Sequence, residues 1–539
     1  MTNHWNDIQF ADVVMIMGSN AAENHPISFK YVTKAQEKGG KLLVVDPRVT
    51  RTASLADLYA PIRPGTDIAF INGVINYLLQ NNKIQKDYVV EYTNAAYLVD
   101  PRFSFNDGLF SGYNRGGSSY DKATWAYQKD SKGIPMQDKT LENPNCVYQL
   151  MKRHFGRYTV EKVSATTGCP ADTFLKVAEM IASTHAAEKS MTIMYAMGTT
   201  QHTVGAQNVR DFSVLQLLLG NMGVAGGGIN ALRGESNVQG STDMALLWHI
   251  LPGYLPMTLA SKHPNFKAYL ETTATKTNDP MSINWWQHRP KYFVSLLKAW
   301  FGDAANKDNN FCYDWLPKAH KPTPHIVLFE DMYAGAHKGA ILMGTNPVVG
   351  GPNAAKEAKA LERLEWLVCA DIFETDTSIF WKRAGVNTRA VQTEVFLLPM
   401  AASVEKEGSV SNSGRWAQWR YKAVNPLGDA EGDLYFIDRL YRKLKELYQL
   451  DVKNNRACAF PDPILNANWD YTPAGAHEPD PHRVAKELNG YTWANKKQVK
   501  NFTELKDDGS TACGCWIYGG CYNEDGNNMA RRGTKDLPN

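Results

Sequence analysis

Three features that would assign a protein to a special class are missing from this 539-residue sequence. No apolar run approaches the ~18 residues that a membrane helix needs, so no transmembrane span is predicted. The net charge is only +3 and no long Lys/Arg cluster occurs, so nucleic acid is not expected as a partner. The first residues, MTNHWNDIQF, have neither a basic segment nor an apolar core, and no signal peptide is predicted from them.

Cysteine is also scarce, with eight residues in the whole chain, too few for a disulfide framework at this length. Three of them, Cys513, Cys515 and Cys521, lie close together in CGCWIYGGC. Their Cys-x-Cys-x5-Cys spacing lacks the two-residue interval typical of zinc and iron–sulfur ligands, and no fourth ligand follows. The spacing favours structural cysteines, with a metal site as the alternative.

The composition that remains is ordinary for a globular protein, with 43% hydrophobic and 21% charged residues. About three domain-sized units of roughly 100–200 residues are expected at this length. One pattern occurs twice. ADVVMIMGSNAAENHP is followed by KLLVVDPRVTRT, and KGAILMGTNPVVGGP is followed by EWLVCADIFETDT. Each copy has an apolar run ending in Gly-x-Asn, a helical segment, and a second apolar run ending in Asp.

The two copies also share their spacing. Gly18 and Asp46 are 28 residues apart, and Gly344 and Asp371 are 27 residues apart. Continuous apolar runs that alternate with helices indicate strands buried on both faces of a parallel sheet. The sequence therefore predicts an α/β fold with two related dinucleotide-type domains.

The loop after the first strand of each copy is suited to a phosphate group. A loop that leads from a strand into a helix presents backbone N–H groups and the positive end of the helix dipole. The acid after the second strand can accept hydrogen bonds from a base or a ribose. Neither copy has the Gly-x-Gly-x-x-Gly fingerprint, which disfavours nicotinamide and flavin cofactors. An ordinary strand–turn–helix is the alternative interpretation.

Further loops contain residues suited to the same site. In RPGTDIAFINGVINYLL, Gly65 precedes an apolar-periodic helix that Thr66 or Asp67 can cap. MYAMGTTQHTVGAQN predicts another strand that ends in a glycine-bearing loop. Its His202 is expected to be packed or hydrogen-bonded, because no second metal ligand stands at a suitable spacing. The stretch SVEKEGSVSNSGRWAQW is interpreted either as a solvated hairpin or as a binding loop.

A lone arginine, Arg233, lies in VAGGGINALRGESNVQG between three glycines and a polar loop. Most loop arginines are simply exposed to solvent, and that is one interpretation. The other is an anion clamp, because the planar guanidinium group can hold a carboxylate or phosphate in fixed geometry. Both interpretations are open on these residues alone.

The whole chain resembles one family, the catalytic subunit of molybdenum- or tungsten-dependent formate dehydrogenases. The similar stretches are GSNAAENHP, VDPRVTRTA, YAPIRPGTDIAF, TQHTVGAQN, GGGINALRGESNVQG, SGRWAQW and CGCWIYGG. The resemblance is to the selenocysteine-type, membrane-associated respiratory or periplasmic group, and NALRGESNVQG is specific to the formate branch of the molybdopterin oxidoreductases. It implies the α/β fold of that family, with two dinucleotide-binding-type domains.

The resemblance implies two molybdopterin guanine dinucleotides on one molybdenum or tungsten, with one dinucleotide in each domain. It places Arg233 beside the metal, where the side chain would orient formate or steady the charge during oxidation. It assigns the first dinucleotide to Gly18, Ser19, Asn20, Glu23, Asp46, Arg48, Thr50, Gly65, Thr66 and Asp67, with Met197 and Gln201 near the pterin. It assigns the second dinucleotide to Gly344, Asn346 and Asp371.

The resemblance also implies a division of the chain. Residues 1–235 would bind the first dinucleotide, 236–475 would form most of the second domain, and 476–539 would connect to a C-terminal domain. No metal ligand is expected within the sequence. The family's [4Fe–4S] segment and its selenocysteine or cysteine ligand are expected upstream, and its cap domain downstream, so the isolated chain is expected to be inactive.

The function implied by the resemblance is oxidation of formate to CO2, with two electrons passed to iron–sulfur clusters. The implied partners are an iron–sulfur electron-transfer subunit and a membrane cytochrome subunit. The implied location is the periplasm, or otherwise the cytoplasm. Two alternatives stay open: another molybdopterin oxidoreductase such as a nitrate reductase, and an inactive dinucleotide-binding fragment. The Arg233 loop argues against the nitrate enzyme, because it belongs to the formate branch.

Overall fold

Two units make up the chain in the computed structural model, which describes residues 1–106, 108–277 and 282–531. The first unit consists of Met1–Val238 and the short segment Asn412–Trp416. The second consists of Gln239–Ser411 and the chain from Ala417 onward. The boundary expected after residue 235 lies within the first unit, close to its end at Val238.

A parallel sheet forms the centre of the first unit. Its strands are β1 (Val13–Met17), β2 (Lys41–Val45), β3 (Leu58–Ala60), β4 (Met191–Tyr195) and β5 (Ile229–Ala231), in the order β3-β2-β1-β4-β5. Val13 pairs with Lys41 on one side and with Met191 on the other. All residues of β1 are buried, as a central strand covered on both faces requires.

Helices cover both faces of this sheet. On one face Met15 packs in a cluster with Phe70 and Phe174, and on the other Ile16 packs with Val32. The α-helices of the unit are Ala21–Asn24, Pro26–Glu37, Asp67–Gln80, Lys86–Tyr92, Val147–Phe155, Val160–Thr167, Ala171–Ala182, Met197–Thr200 and Gly205–Leu218. Short antiparallel strand pairs join Phe105–Asn106 to Leu109–Phe110 and Tyr113–Asn114 to Ser119–Tyr120.

A smaller parallel sheet lies in the second unit. Its strands are β6 (Gly339–Met343), β7 (Trp366–Asp371) and β8 (Glu394–Pro399), in that order. Gly339 pairs with Trp366, which pairs with Glu394. Phe329 and Leu367 share the apolar cluster between the sheet and its helices. A hairpin, β9 (Gly408–Ser411) and β10 (Ala417–Arg420), follows β8.

The remaining elements of the second unit surround a second apolar core, in which Phe293 and Tyr269 are fully buried. The α-helices are Phe266–Thr273, Arg289–Phe301, His325–Tyr333, Pro347–Gly350, Ala354–Leu361, Asp433–Lys453, Pro461–Asn466 and Pro481–Asn489, and Val238–Asp243 contains the boundary between the units. The two-residue strand pairs are Ile250–Leu251 with Leu255–Pro256, Tyr491–Thr492 with Thr511–Ala512, and Tyr522–Asn523 with Gly526–Asn527.

The segment expected to be a separate connector belongs to this second core. Val499, Leu505 and Cys513 are buried in the same cluster as Phe293. The reason is apolar packing: these side chains cover the helix Arg289–Phe301, which would otherwise leave its apolar face open to water.

The predicted α/β class with parallel sheets is confirmed in both units. The apolar runs of the repeated pattern form β1, β2, β6 and β7. Among the described residues, no helix is long and apolar enough to cross a membrane.

Candidate functional site

The carboxyl ends of the five parallel strands of the first unit meet at one edge of the sheet. The loops that follow these strands surround a cleft of about 520 Å³. In the sheet, β1 lies between β2 and β4, so the chain runs from β1 to β2 on one side and adds β4 on the other side. Clefts at such a switch point are the usual ligand sites of open α/β sheets.

Two loops of the cleft touch backbone to backbone. Gly18, directly after β1, has a φ of +65°, and a Cβ atom there would lie 2.4 Å from Thr199 N. Gly198 N–H donates to Gly18 O at 3.0 Å, and Thr199 Oγ1 donates to Met17 O at 3.1 Å. Glycine alone tolerates both the positive φ and this close approach. The loop after β1 is thereby fixed against the loop after β4.

A buried threonine joins the loops after β1 and β2. Asn20 Oδ1 accepts hydrogen bonds from Thr52 N at 3.2 Å and from Thr52 Oγ1 at 2.9 Å. Thr52 Oγ1 in turn accepts the N–H of Ala22 at 2.9 Å. Asn20 Nδ2 donates to Glu23, which lies 3.8 Å from Arg51 Nε. The Gly-x-Asn turn is therefore held in one shape by side chains from the following loop.

Two polar groups of the cleft are suited to a ligand. Ser19 Oγ is buried and has no hydrogen-bond partner among the described residues, which costs free energy until a polar group pairs with it. Asp67 begins the helix Asp67–Gln80, and burial raises the pKa of its carboxyl group. The ring of His202, 4.0 Å away, opposes that rise. A hydroxyl beside a helix N-terminus fits a phosphate, and a buried carboxyl group fits the N–H groups of a base.

The second unit repeats the hydrogen bonds of the first. Gly344 has a φ of +60° directly after β6. Asn346 Oδ1 accepts from Thr377 N at 3.2 Å and from Thr377 Oγ1 at 2.7 Å, and Thr377 Oγ1 accepts the N–H of Val348 at 3.1 Å. Asp371 is the last residue of β7. The repeated sequence pattern thus corresponds to a repeated three-dimensional motif.

Arg233 follows β5 at the same edge of the sheet as the cleft. Its N–H donates to Ser413 Oγ at 2.9 Å, and its carbonyl oxygen lies 2.8 Å from His25 Nε2. Burial raises the pKa of Tyr195, the last residue of β4, and the positive charge of Arg233 opposes that rise. The positive charge of Arg233 therefore lies near the carboxyl end of β4.

The structure brings nine predicted residues together. These residues, which line the cleft, are Gly18, Ser19, Asn20, Asp46, Arg48, Thr50, Asp67, Met197 and Gln201. Glu23, Gly65 and Thr66 are not among the lining residues. Thr66 occupies the position before the helix, but its hydroxyl group donates to Arg63 O at 2.6 Å instead of capping the helix. Arg233 lies between two lining residues, Leu232 and Gly234.

Sequence reasoning missed several residues of the cleft, of which two make contacts between its loops. His25 and Gly198 both line it. The available signals were weak: His25 immediately precedes a proline that begins a helix, and Gly198 lies in the loop after β4. His202, expected to be hydrogen-bonded, also lines the cleft, and its Nε2 lies 2.7 Å from Gly198 O.

The clustered cysteines contact main-chain carbonyl groups. Cys513 Sγ lies 3.3 Å from Leu488 O, and Cys515 Sγ lies 3.5 Å from Asp243 O. Burial raises the pKa of Cys513 to about 12 and that of Cys521 to about 11, which disfavours the thiolate form that binds metals. In the part of the chain that the structure describes, no three His, Cys, Asp or Glu residues are grouped to hold a metal ion.

The parallel sheets in both units, and the switch-point cleft with its Gly-x-Asn loop in the first unit, define an α/β protein with a ligand-sized cleft at the carboxyl end of a parallel sheet. A family model described as molybdopterin oxidoreductase matches residues 1–443, which span most of both units. The chain belongs to the molybdopterin oxidoreductase family.

Curated relatives confirm the predicted resemblance to formate dehydrogenase catalytic subunits. The chain is 46% identical over 99% of its length to formate dehydrogenase subunit alpha of Megalodesulfovibrio gigas and covers 53% of that protein. Identity to the nitrate-inducible formate dehydrogenase major subunit of Escherichia coli (strain K12) is also 46%, over 99% of this chain and 54% of that protein. The chain therefore spans about half the length of the curated relatives it matches.

Among solved structures, the acetylene hydratase from Pelobacter acetylenicus aligns with a TM-score of 0.47 and 19% identity. The alignment covers 82% of this chain and 50% of that one.

Proposed function

We propose that this chain is part of the catalytic subunit of a formate dehydrogenase. The proposed reaction oxidises formate to CO2, releasing one proton and two electrons, and the electrons pass to iron–sulfur clusters. The observation that carries the proposal is the 46% identity over 99% of the chain to two formate dehydrogenase subunits. Because the chain spans half of those relatives, the activity is proposed for the native protein that carries this sequence.

The proposed cofactor is a pair of molybdopterin guanine dinucleotides on one molybdenum or tungsten. When bound, it would supply the two-electron redox chemistry, and the protein would supply binding and orientation. In the first unit, Ser19 would donate to a phosphate oxygen and Asp67 would accept from the guanine. In the second unit, the repeated turn at Gly344, Asn346 and Asp371 would hold the other dinucleotide. The unpartnered Ser19 hydroxyl group and the matched turns support this assignment.

We assign Arg233 to the substrate. Formate is a planar carboxylate, and a guanidinium group can donate two parallel hydrogen bonds to it. The same positive charge would favour the bound anion over solvent and hold its C–H bond in one direction. The position of Arg233 two residues after β5, at the same edge of the sheet as the cleft, supports this role.

The proposed partners are an iron–sulfur electron-transfer subunit and a membrane cytochrome subunit, and the proposed location is the periplasm. These proposals rest on the resemblance to the respiratory and periplasmic formate dehydrogenases. Co-purification of the native protein and identification of its subunits by mass spectrometry would test them. Recovery of this chain with neither kind of subunit would contradict them.

Arg233→Lys tests the assignment of substrate and residue together. Lysine keeps the charge but loses the two-pronged geometry, so kcat/KM for formate is expected to fall by about 100-fold or more. Metal and guanine-nucleotide contents should stay at wild-type levels. Arg210→Lys, at an exposed position of the helix Gly205–Leu218, is the matched control. Unchanged turnover in Arg233→Lys would make Arg233 a structural loop residue, and a wild-type protein without formate-dependent dye reduction would overturn the function.

A further inference from the structure

The main chain of Arg233 is held at both of its polar atoms. Ser413 Oγ accepts the Arg233 N–H at 2.9 Å, and His25 Nε2 lies 2.8 Å from the Arg233 carbonyl oxygen. The two partners are about 180 and 208 residues away in the chain. Loops are usually satisfied by neighbours or by water, so two long-range side-chain bonds to one loop residue indicate that its position matters.

The histidine is well placed to act as a fixed donor. A carbonyl oxygen can only accept, so the proton resides on Nε2. The following residue, Pro26, begins a helix with a fixed φ, which restrains the backbone that carries the ring. Burial lowers the pKa of His25, and the bond to Arg233 O opposes this shift. The position of the imidazole ring is therefore restrained by its own backbone and by its contact with Arg233.

The serine comes from the tip of the β9–β10 hairpin, Asn412–Trp416, which belongs to the first unit. Ser413 itself is buried. The ring of Trp416 packs edge-on against His4, with ring centroids 4.6 Å apart. A Cβ atom at Gly414 would lie 2.7 Å from the ring of Trp5. The tip is thus packed against the first unit, and the Ser413 hydroxyl group is held in place.

Glycines occur in the chain on both sides of Arg233. Gly226 and Gly228 precede β5 with positive φ angles, and Gly234 directly follows Arg233 at an exposed position. Glycines on either side of a residue give the backbone many accessible conformations. A guanidinium group that must meet a carboxylate with two parallel bonds needs its backbone fixed within a fraction of an ångström.

We propose that His25 and Ser413 are positioning residues that fix the main chain of Arg233 and so aim its guanidinium group at the substrate carboxylate. The aiming role rests on the proposed function. The hydrogen bond between Arg233 and Ser413 also gives a role to the hairpin tip. From the sequence of the tip, SNSGRW, a solvated turn and a binding loop were equally compatible interpretations.

Hydrogen exchange of the native protein tests the contact without any assay of activity. Ser413→Ala removes the acceptor of the Arg233 N–H, so exchange at that amide is expected to be at least about tenfold faster. Ser413→Thr retains a hydroxyl group and should keep the slow rate, and Ser409→Ala, in β9 of the same hairpin, is the control. Equal exchange in Ser413→Ala and wild type would overturn the proposal.

Kinetics then separate positioning from a purely structural role. His25→Leu removes the donor, and kcat/KM for formate is expected to fall at least about tenfold, mostly through a higher KM, with metal content unchanged. His25→Gln places an amide N–H near the Nε2 position and should recover activity to within about threefold of wild type. Faster exchange in Ser413→Ala and His25→Leu with unchanged kinetics would overturn the aiming role. Faster exchange in a protein that never oxidises formate would instead contradict the proposed function alone.

Discussion

The loops after β1 and β6 form the same hydrogen bonds in different surroundings. In each, a threonine from the next loop donates to the asparagine of a Gly-x-Asn turn and accepts an N–H from the start of a helix. The strands that lead into the two turns differ. Met15 in β1 is fully buried, whereas Ile341, at the matching position of β6, is 42% exposed.

This difference shows which parts of the motif depend only on residues that are close together in the chain. The turn is set by its own glycine, asparagine and threonine, so it forms in both units. Burial depends on neighbouring strands. β1 has β2 on one side and β4 on the other, while among the described residues β6 pairs only with β7. The asparagine–threonine hydrogen bonds should therefore respond alike to substitution in both units, whereas the strands and the surroundings of each glycine should not.

The largest contrast is expected between Gly18→Ala and Gly344→Ala. Both positions have a positive φ, which costs an L-residue about 1–2 kcal/mol. At Gly18 the new methyl group also meets the Thr199 backbone, and overpacking adds roughly 1–3 kcal/mol. Gly344 has open space around it. Free energies of unfolding from hydrogen exchange in each unit give the comparison, and equal losses would contradict the contact between the loops after β1 and β4.

A second contrast concerns the strands themselves. Met15→Ala creates a cavity in a closed core and is expected to cost roughly 2–5 kcal/mol of unfolding free energy. Ile341, like Met15, lies three residues before the glycine of its turn. Ile341→Ala removes a partly exposed side chain and should cost about 1 kcal/mol or less of unfolding free energy. Urea titration of both variants measures the costs. A loss at Ile341 as large as that at Met15 would show that the face of β6 is covered in the native protein.

The third prediction is a similarity. Thr52→Val and Thr377→Val each leave one helix-start N–H without its buried partner, while the asparagine oxygen keeps only the main-chain N–H of the substituted residue. The loss costs roughly 1–3 kcal/mol. Because both threonines are fully buried, the two losses should agree within about 0.5 kcal/mol. Unfolding free energies of the two variants provide the test. A loss confined to one unit would separate the two turns.

The smallest effect is expected from the carboxyl group of Asp67, in the first unit. Burial raises the pKa of Asp67, so in the native state this carboxyl group holds its proton to higher pH than in the unfolded chain. Its contribution to stability is therefore lost as the pH rises from about 3.8 through the folded pKa. Relative to wild type, Asp67→Asn should gain stability as the pH rises from 4 to 7 in the cofactor-free protein. A constant difference across that range would contradict the desolvation of Asp67.

Much of this architecture could be predicted from the sequence, because its causes are local. Apolar runs such as VVMIM and WLVCAD predict buried strands, and Gly-x-Asn followed by a helix predicts the turn. Glycine spacing and the Asp at each strand end identified the repeat. These signals depend on residues close together in the chain.

The contacts that escaped prediction join distant parts of the chain. Nothing near His25 in the sequence shows that it meets Arg233, and Gly198 acquires its role only when its loop crosses Gly18. Burial of Val499 with Phe293 likewise depends on the folded second unit. Thr66 looked like a cap, but its hydroxyl group had a nearer carbonyl acceptor. Long-range packing decided each of these cases except Thr66, whose acceptor lies three residues earlier in the chain.

The central claim is that the two matched turns each hold one guanine dinucleotide. Guanine nucleotide released per polypeptide from the purified native protein tests it most directly, with Gly18→Ala and Gly344→Ala beside wild type. We expect two guanine nucleotides per wild-type chain and a lower value in each variant. One nucleotide or none per wild-type chain, with metal present, would contradict it.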